Sequence, residues 1–247
     1  MDLLGNPTLV LVSVALNAVL TIAVIVAGVA FAKFPKLMAS HIKMARERRG
    51  SAFAATRLTK AKVVFLGDSI TQEGEWHEYF PDLAVANRGI SADTTKDVLE
   101  RLDQVFALQP DIVCIMIGIN DIQAQESADA IAARIAEIVQ KLKGKIEGVQ
   151  IILQSILPSN DRWMKAIDLS EIAALNGSMK ELEKIEHVHW LDVSVLFAKA
   201  DGKLDERYTN DGLHLNGEAY AKWLNLLEPI LRDMLADERT SGDAHPA

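Results

Sequence analysis

The sequence is poor in the residues that build a disulfide scaffold or a low-complexity chain. Its 247 residues include one cysteine, Cys114, with 14 glycines and 7 prolines. A single thiol cannot form an internal disulfide or a cysteine-lined zinc site. The low glycine and proline content, together with a hydrophobic fraction of 49%, excludes a disordered chain. Any catalytic chemistry must therefore come from oxygen or nitrogen side chains.

Basic residues are concentrated in one short stretch. Residues 33–62 hold nine lysines and arginines against one acidic residue, whereas residues 63–247 hold 17 basic and 32 acidic residues. An acidic main domain repels the phosphate backbone of nucleic acids, so we expect no nucleic-acid partner.

Charge is absent from one long apolar run near the N-terminus. The 25 residues from Thr8 to Ala32 read TLVLVSVALNAVLTIAVIVAGVAFA. At ~1.5 Å per residue, a helix of this length spans the ~30 Å hydrocarbon core of a bilayer. We predict a short tail at 1–7 and a transmembrane helix at 8–32. A cleavable signal peptide is the alternative, because Ala30-Phe31-Ala32 has the small-x-small form, but the run is longer than a signal core and lacks a basic leader.

The basic stretch predicts the orientation of this helix. It follows the apolar run directly, and the positive-inside rule then places the main domain in the cytoplasm, with a periplasmic or extracytoplasmic location as the alternative. We interpret residues 33–61 as a basic juxtamembrane linker. It either contacts anionic lipid headgroups or is solvated and partly helical.

Beyond Lys62, short apolar runs alternate with amphipathic stretches, which is typical of a parallel sheet covered by helices. The predicted strands are VVFL at 63–66, LAVAN at 83–87, DIVCIMI at 111–117, VQIILQ at 149–154 and HVHWLDV at 187–193. Apolar stripes predict helices after a Thr94-x-x-Asp97 capping box as far as Phe106, after Ser127, and over 220–231. We predict one α/β domain at 62–236 and a polar, frayed tail at 237–247.

The chemically useful side chains follow the predicted strands. In an open parallel sheet, ligands bind outside the carboxyl ends of the strands. The segments at these places, or just before the last helix, are GDSI at 67–70, NRGIS at 87–91, GIND at 118–121 and NDGLHLN at 210–216. Each has an ordinary explanation as a turn, cap or loop, and only their combination indicates catalysis.

The combination matches the needs of acyl transfer from an ester. That reaction requires a hydroxyl nucleophile, an imidazole base, a carboxylate that orients the imidazole, and donors to the developing oxyanion. We assign Ser69 as the nucleophile, His214 as the base and Asp211 as the orienting carboxylate. The expected oxyanion donors are the backbone N–H of Ser69, the N–H of Gly89, which no side chain obstructs, and the side-chain amide of Asn120.

The segments VVFLGDSIT, ANRGISADTT, IMIGINDI and DGLHLN resemble the four sequence blocks of the SGNH (GDSL-type) hydrolase superfamily, in the same order and spacing, over about residues 62–235. The resemblance implies a flavodoxin-like three-layer α/β/α sandwich with a parallel five-stranded sheet. It also implies ester hydrolysis without a metal or other cofactor, with the site residues assigned above. Ile70 stands where the common motif has leucine, which is a conservative difference.

Within this superfamily, NRGISADTT and DVLERL are most similar to the branch that includes the platelet-activating-factor acetylhydrolase catalytic subunits and bacterial carbohydrate O-acetylesterases. That similarity favours short acyl groups. Three further residues are candidates for substrate contact: Trp76 after the nucleophile turn, Arg88 in the second block, and Trp163 in a loop at 159–164. For the two tryptophans the alternatives are packing on the sheet and a plain surface loop.

The leading hypothesis is a membrane-anchored, single-pass serine esterase that removes short acyl groups, acetyl above all, from a small-molecule ester through an acyl-enzyme intermediate. One alternative keeps the triad but acts on longer chains, as a lysophospholipase or acyl-thioesterase. Another is a catalytically silent membrane-tethered binding protein, since fold alone does not determine function. The alcohol half of the ester and the oligomeric state do not follow from the sequence.

Overall fold

A computed structural model describes residues 7–161 and 167–242. Its contacts divide the chain into two compact units, Met1–Arg48 and Arg49–Ala247. The cysteine, the predicted strands and the predicted catalytic residues all belong to the second unit.

The first unit contains most of helix α1, which runs from Pro7 to Ala55. No residue of α1 is buried, and its apolar side chains are exposed, as at Phe31. By length and composition this helix could cross a membrane. It also continues through much of the predicted linker, as far as Ala55, because alanine, methionine, lysine and arginine there favour helix.

The second unit is built on a parallel five-stranded sheet, as predicted. The strands are β1 (Val63–Gly67), β2 (Val85–Gly89), β3 (Ile112–Met116), β4 (Gln150–Gln154) and β5 (Val188–Leu191). Their order in the sheet, β2-β1-β3-β4-β5, is that of flavodoxin-like folds. In the register, Gly67 of β1 lies between Gly89 of β2 and Met116 of β3, so the loops that follow these three strands begin at the same edge.

Helices cover both faces of the sheet. They are α2 (Ser69–Gln72), α3 (Trp76–Tyr79), α4 (Thr95–Glu100), α5 (Asp103–Phe106), α6 (Ile119–Gln123), α7 (Ala128–Lys145), α8 (Leu169–Lys180) and α9 (Gly217–Gly242), with 3-10 turns at Glu181–Lys184, Ser194–Leu196 and Glu206–Tyr208. Alternate strand residues enter two separate cores. Val64 and Leu66 pack with α7 and α8, whereas Val63 and Phe65 pack with α3 and α9. The molecule therefore has the expected three layers.

Two helix boundaries differ from the expectation. The helix predicted from the Thr94 capping box is divided into α4 and α5, because Arg101 leaves helical geometry and its side chain bonds to Gly67 and Asp93. The capping box itself is present, with Thr94 and Asp97 bonding reciprocally. The last helix continues past Asp237 to Gly242.

Cys114 lies in the middle of β3 and is buried. Burial raises the pKa of its thiol well above the ordinary range. This cysteine is a small core residue with no role at the site.

Candidate active site

The sharp turn after β1 places Ser69 at the first position of α2. Asp68 caps this helix, and its carboxylate accepts a hydrogen bond from the Ile70 amide at 3.0 Å. From α9, the Tyr220 hydroxyl donates to the Ile70 carbonyl at 2.6 Å. The serine is therefore held from two sides, with its own backbone N–H among the unsatisfied donors of a helix N-terminus.

Ser69, His214 and Asp211 form a continuous hydrogen-bonded chain. The Oγ atom of Ser69 lies 2.9 Å from Nε2 of His214, and Nδ1 of His214 lies 2.6 Å from Oδ2 of Asp211. A proton on Nδ1, donated to the carboxylate, leaves the lone pair of Nε2 facing the serine hydroxyl. The three side chains thus have the hydrogen-bonded order that the sequence predicts for a nucleophile, a base and an orienting carboxylate.

Asp211 is itself held in place by the backbone. Its Oδ1 accepts from the amides of Leu213 at 2.9 Å and His214 at 2.8 Å. Partial burial disfavours ionisation, but the hydrogen bonds from the His214 ring and these amides outweigh it and lower the pKa of Asp211 to about 2. The carboxylate is therefore ionised throughout the range in which a histidine base works.

Gly89 does not meet the expectation of a free oxyanion donor. Its N–H donates to Oδ1 of Asn87 at 2.9 Å. A Cβ at position 89 would lie 2.2 Å from the backbone nitrogen of Gln72. Glycine is needed here because β2 passes against the end of α2, which is a packing reason rather than a catalytic one.

Most backbone N–H groups of the loop at 90–93 donate hydrogen bonds within the second unit. Ile90 N–H donates to the Gly67 carbonyl at 3.1 Å, Ser91 N–H to Gln72 Oε1 at 2.9 Å, and Asp93 N–H to the Ile90 carbonyl at 3.2 Å. Ala92 N–H has no acceptor among the described residues. Ala92 also has a φ of 63°, which is unusual for a residue with a Cβ.

Asn120 lies against the same loop. One hydrogen of its side-chain amide is donated to the Asp93 carbonyl at 2.8 Å, and the second has no acceptor in the described ranges 7–161 and 167–242. Arg101 also fixes the loop, because its guanidinium bonds to the Asp93 carboxylate at 2.6 Å and to the Gly67 carbonyl at 3.0 Å. The ends of β1, the loop and α6 are thereby connected.

Two of the three candidate substrate contacts are core residues. Trp76 is 1% exposed, stacks on Phe65 at 3.9 Å between ring centroids, and donates its indole N–H to the Thr71 carbonyl at 2.8 Å. Arg88 is 5% exposed and packs on the ring of Phe53 at 4.5 Å. Neither presents a side chain to a ligand, because Trp76 is packed in the core and Arg88 is buried beneath Phe53. Trp163 lies outside the described residues.

Comparison with known proteins identifies the family of the chain. Residues 65–222 match the model of the GDSL-like lipase/acylhydrolase family. The chain belongs to this family. It is 30% identical over 182 residues to platelet-activating factor acetylhydrolase IB subunit alpha2 of Rattus norvegicus, covering 71% of this chain and 78% of that protein.

Solved structures show the same fold. A Streptococcus pneumonia protein, provisionally described as a platelet activating factor, superposes with a TM-score of 0.74 at 25% identity, over 81% of this chain and 99% of the other. A carbohydrate esterase family 3 protein from Talaromyces cellulolyticus gives 0.59 at 22% identity, over 72% and 99%. The expected superfamily and enzyme class, an acylhydrolase, are therefore confirmed.

Several residues of this acylhydrolase site were not singled out from the sequence. Asn87 is the clearest, because its side-chain amide donates to the carbonyls of Thr71, Gln72 and Gly74 at 3.0–3.1 Å and so closes the end of α2. Its place directly before Arg88 in the second block was a signal, but only the fold shows that it points toward α2. No cluster of three or more potential metal ligands occurs among the described residues.

Asp68 is an acidic group buried directly beside Ser69. It is 1% exposed, and burial, reinforced by the charges of Asp93 and Asp121 and opposed by the Ile70 amide and His214, raises its pKa to about 7. A carboxyl group with a raised pKa binds its proton more tightly in the folded than in the unfolded state. Its contribution to stability is therefore lost as the pH rises from about 4 to about 7.

We expect the Asp68→Asn variant to weaken this pH dependence. The amide oxygen of the asparagine can still accept a hydrogen bond from the Ile70 N–H, but the variant has no charge to bury. Between pH 4 and pH 8, its free energy of unfolding should therefore fall less than that of the unaltered protein, and the difference should be at most about 4 kcal/mol. Denaturant unfolding at each pH measures the change. Asp82→Asn, at an exposed pair with Arg232 where the pKa is lowered instead, is the control. Equal curves for the Asp68 variant and the unaltered protein would contradict the assignment.

Proposed function

We propose that this acylhydrolase is a membrane-anchored serine esterase that hydrolyses short acyl esters, with acetyl as the preferred group. The observation that carries the proposal is the hydrogen-bonded chain of Ser69, His214 and Asp211, with separations of 2.9 and 2.6 Å. A relative named as an acetylhydrolase supports the acyl group.

The proposed reaction passes through an acyl-enzyme. Ser69 Oγ attacks the ester carbonyl carbon while its proton passes to Nε2 of His214, and the carbonyl electron pair moves onto the oxygen. The tetrahedral intermediate collapses, and the leaving alkoxide takes the proton from His214. A water molecule, deprotonated by the same nitrogen, then attacks the acyl carbon. The second tetrahedral intermediate collapses, the bond from the acyl carbon to Ser69 Oγ breaks, Oγ takes the proton back from His214, and the carboxylic acid leaves. Asp211 stabilises the imidazolium at both stages.

We infer that three donors stabilise the oxyanion: the N–H of Ser69, the side-chain amide of Asn120 and the N–H of Ala92. Ala92 replaces Gly89 in this role because the Gly89 amide is bonded to Asn87, whereas the Ala92 amide has no acceptor in the described part of the chain. Its position beside Asp93, whose carbonyl holds Asn120, supports the grouping. Preorganised donors of this kind contribute about 10²–10³ in rate each.

The short acyl group is supported by the likeness of the chain to a protein named as an acetylhydrolase. The long-chain alternative is favoured instead by the apolar helix α1, which could bring the domain to a lipid surface.

We expect Ser69→Ala to abolish ester hydrolysis. Loss of a triad nucleophile lowers kcat by at least about 10³. Initial rates of the full chain in a mild detergent on p-nitrophenyl acetate, butyrate, octanoate and palmitate test both mechanism and chain length. The proposal expects a Ser69-dependent rate that falls from acetate to octanoate. A rate that rises with length would establish the long-chain enzyme, and no Ser69-dependent rate would indicate the binding protein.

Substitutions at Ala92 test the third donor. Ala92→Gly keeps the N–H and relieves the positive φ, so kcat should stay within about twofold and the melting temperature should not fall. Ala92→Val should lower kcat by about tenfold or more, because a β-branched residue disfavours φ of 63° and displaces the amide. A valine variant with unaltered kcat would remove Ala92 from the proposed oxyanion hole.

We further propose that α1 is a single-pass anchor with the catalytic domain on the cytoplasmic side. The support is the uncharged run at 8–32 followed by the basic residues of 33–62. Protease added to inverted bacterial membrane vesicles should digest the domain, whereas right-side-out vesicles should protect it. The reverse pattern would place the domain outside the cytoplasm.

A further inference from the structure

The last two turns of α1, residues 49–55, belong to the same compact unit as the sheet. The boundary between the two compact units falls between Arg48 and Arg49, although α1 continues to Ala55. Residues 49–55 therefore make their contacts with the sheet domain. Arg49 and Phe53 are both partly buried, unlike most of α1.

Arg49 bonds to the backbone at the start of the loop at 90–93. Its Nε donates to the Gly89 carbonyl at 3.1 Å. The N–H of the same peptide unit, that of Ile90, donates to the Gly67 carbonyl at 3.1 Å. The Gly89–Ile90 peptide is therefore fixed at both its oxygen and its nitrogen, and α1 supplies one of the two bonds.

Phe53 holds the two neighbouring guanidinium groups. Its ring centroid lies 5.0 Å from the Arg49 guanidinium carbon and 4.5 Å from that of Arg88. Arg88 is buried in β2, and its Nη1 donates to the Asn87 carbonyl at 3.2 Å. Cation–π contacts of this kind, shielded from water, stabilise both side chains in one orientation. The end of α1 is thereby attached to the edge strand β2, after which the loop at 90–93 begins.

We propose that Arg49 is a positioning residue for catalysis, acting through the Gly89–Ile90 peptide on the oxyanion donors. The inference rests on the proposed function. Ala92 lies two residues beyond the fixed peptide, and the Asp93 carbonyl at the end of the loop holds the Asn120 amide. A shift of the peptide moves both donors, whereas the hydrogen bonds of the triad, between α2 and the loop before α9, do not involve this peptide. Residues 49–55 of α1 thus help to position the groups that stabilise the oxyanion.

Arg49→Met tests this in the full chain. The variant keeps an aliphatic side chain but no donor, so we expect kcat for p-nitrophenyl acetate to fall about tenfold, less than the 10²–10³ for outright loss of a donor, with KM within about twofold. Arg49→Lys keeps a donor and should recover most of the rate. Arg57→Met, at an exposed arginine just beyond α1, is the matched control and should behave as the unaltered protein.

A second measurement separates positioning from loss of folded protein. A methyl trifluoromethyl ketone adds the Ser69 oxygen to its carbonyl carbon and leaves an oxyanion where the ester oxyanion forms. In Arg49→Met, the inhibition constant of this ketone should rise by the same factor by which kcat/KM falls. The value of kcat is expressed per active site, counted by titration with a serine-directed phosphonate. The melting temperature of the variant should stay within a few degrees of that of the unaltered protein. Arg49 and Phe53 contact each other, so Phe53→Leu should show a smaller change of the same kind.

The outcomes distinguish this proposal from the proposed function. If Ser69→Ala is inactive while Arg49→Met retains its kcat and its inhibition constant, Arg49 has no positioning role and the serine mechanism stands. An equal loss in Arg49→Met and Arg57→Met, or a change confined to the melting temperature, also overturns the positioning role. If Ser69→Ala remains active, the failure is that of the esterase mechanism itself.

Discussion

The hydrogen bond between Ser69 and His214 joins residues that are 145 positions apart in the chain. It forms only if the first strand and the loop before the last helix reach the same edge of the sheet. The parallel sheet brings the end of every strand to that edge, and the chain beyond β5 returns to it before α9 begins. The two cores fix the layers on either side, and Tyr220 then bonds α9 directly to the nucleophile turn. The fold and the triad are therefore parts of one requirement.

The same requirement explains what the sequence could predict. Apolar runs and amphipathic stripes determine which segments are strands and helices, so all five strands were located to within a few residues. The residues that follow strands meet at one edge, and Ser69, Asp211 and His214 do come together. Their roles as nucleophile, orienter and base, like that of Asn120 as a donor, stay predictions.

The rest depended on the direction of individual groups, which no pattern encodes. The lack of a side chain predicts that Gly89 is an oxyanion donor, but in the structure that lack allows the close approach of β2 to Gln72. Ala92 gave no signal, since alanine is not the residue expected at a positive φ. Trp76 and Arg88 stand next to site motifs in the chain, yet the fold turns both into the core. The position of a side chain relative to the sheet decides its role, and neighbours in sequence alternate between faces.

Helix α1 shows a similar difference between composition and structure. Composition divides the first 62 residues into an apolar span and a basic linker, but the helix runs without interruption through most of both. Its residues 49–55 belong to the same compact unit as the sheet. A boundary placed at the first strand would therefore separate Arg49 and Phe53 from the peptide and the guanidinium that they contact.

Cys114, the one cysteine of the chain, is enclosed in the centre of β3 with a thiol that burial keeps protonated. Water-soluble maleimides react with exposed thiolates, so they should not label the native protein. A cysteine introduced at any exposed position becomes the single reactive thiol of an otherwise unaltered enzyme. Fluorophores, spin labels or cross-linkers can therefore be placed one at a time along α1 or around the site without first removing a natural cysteine.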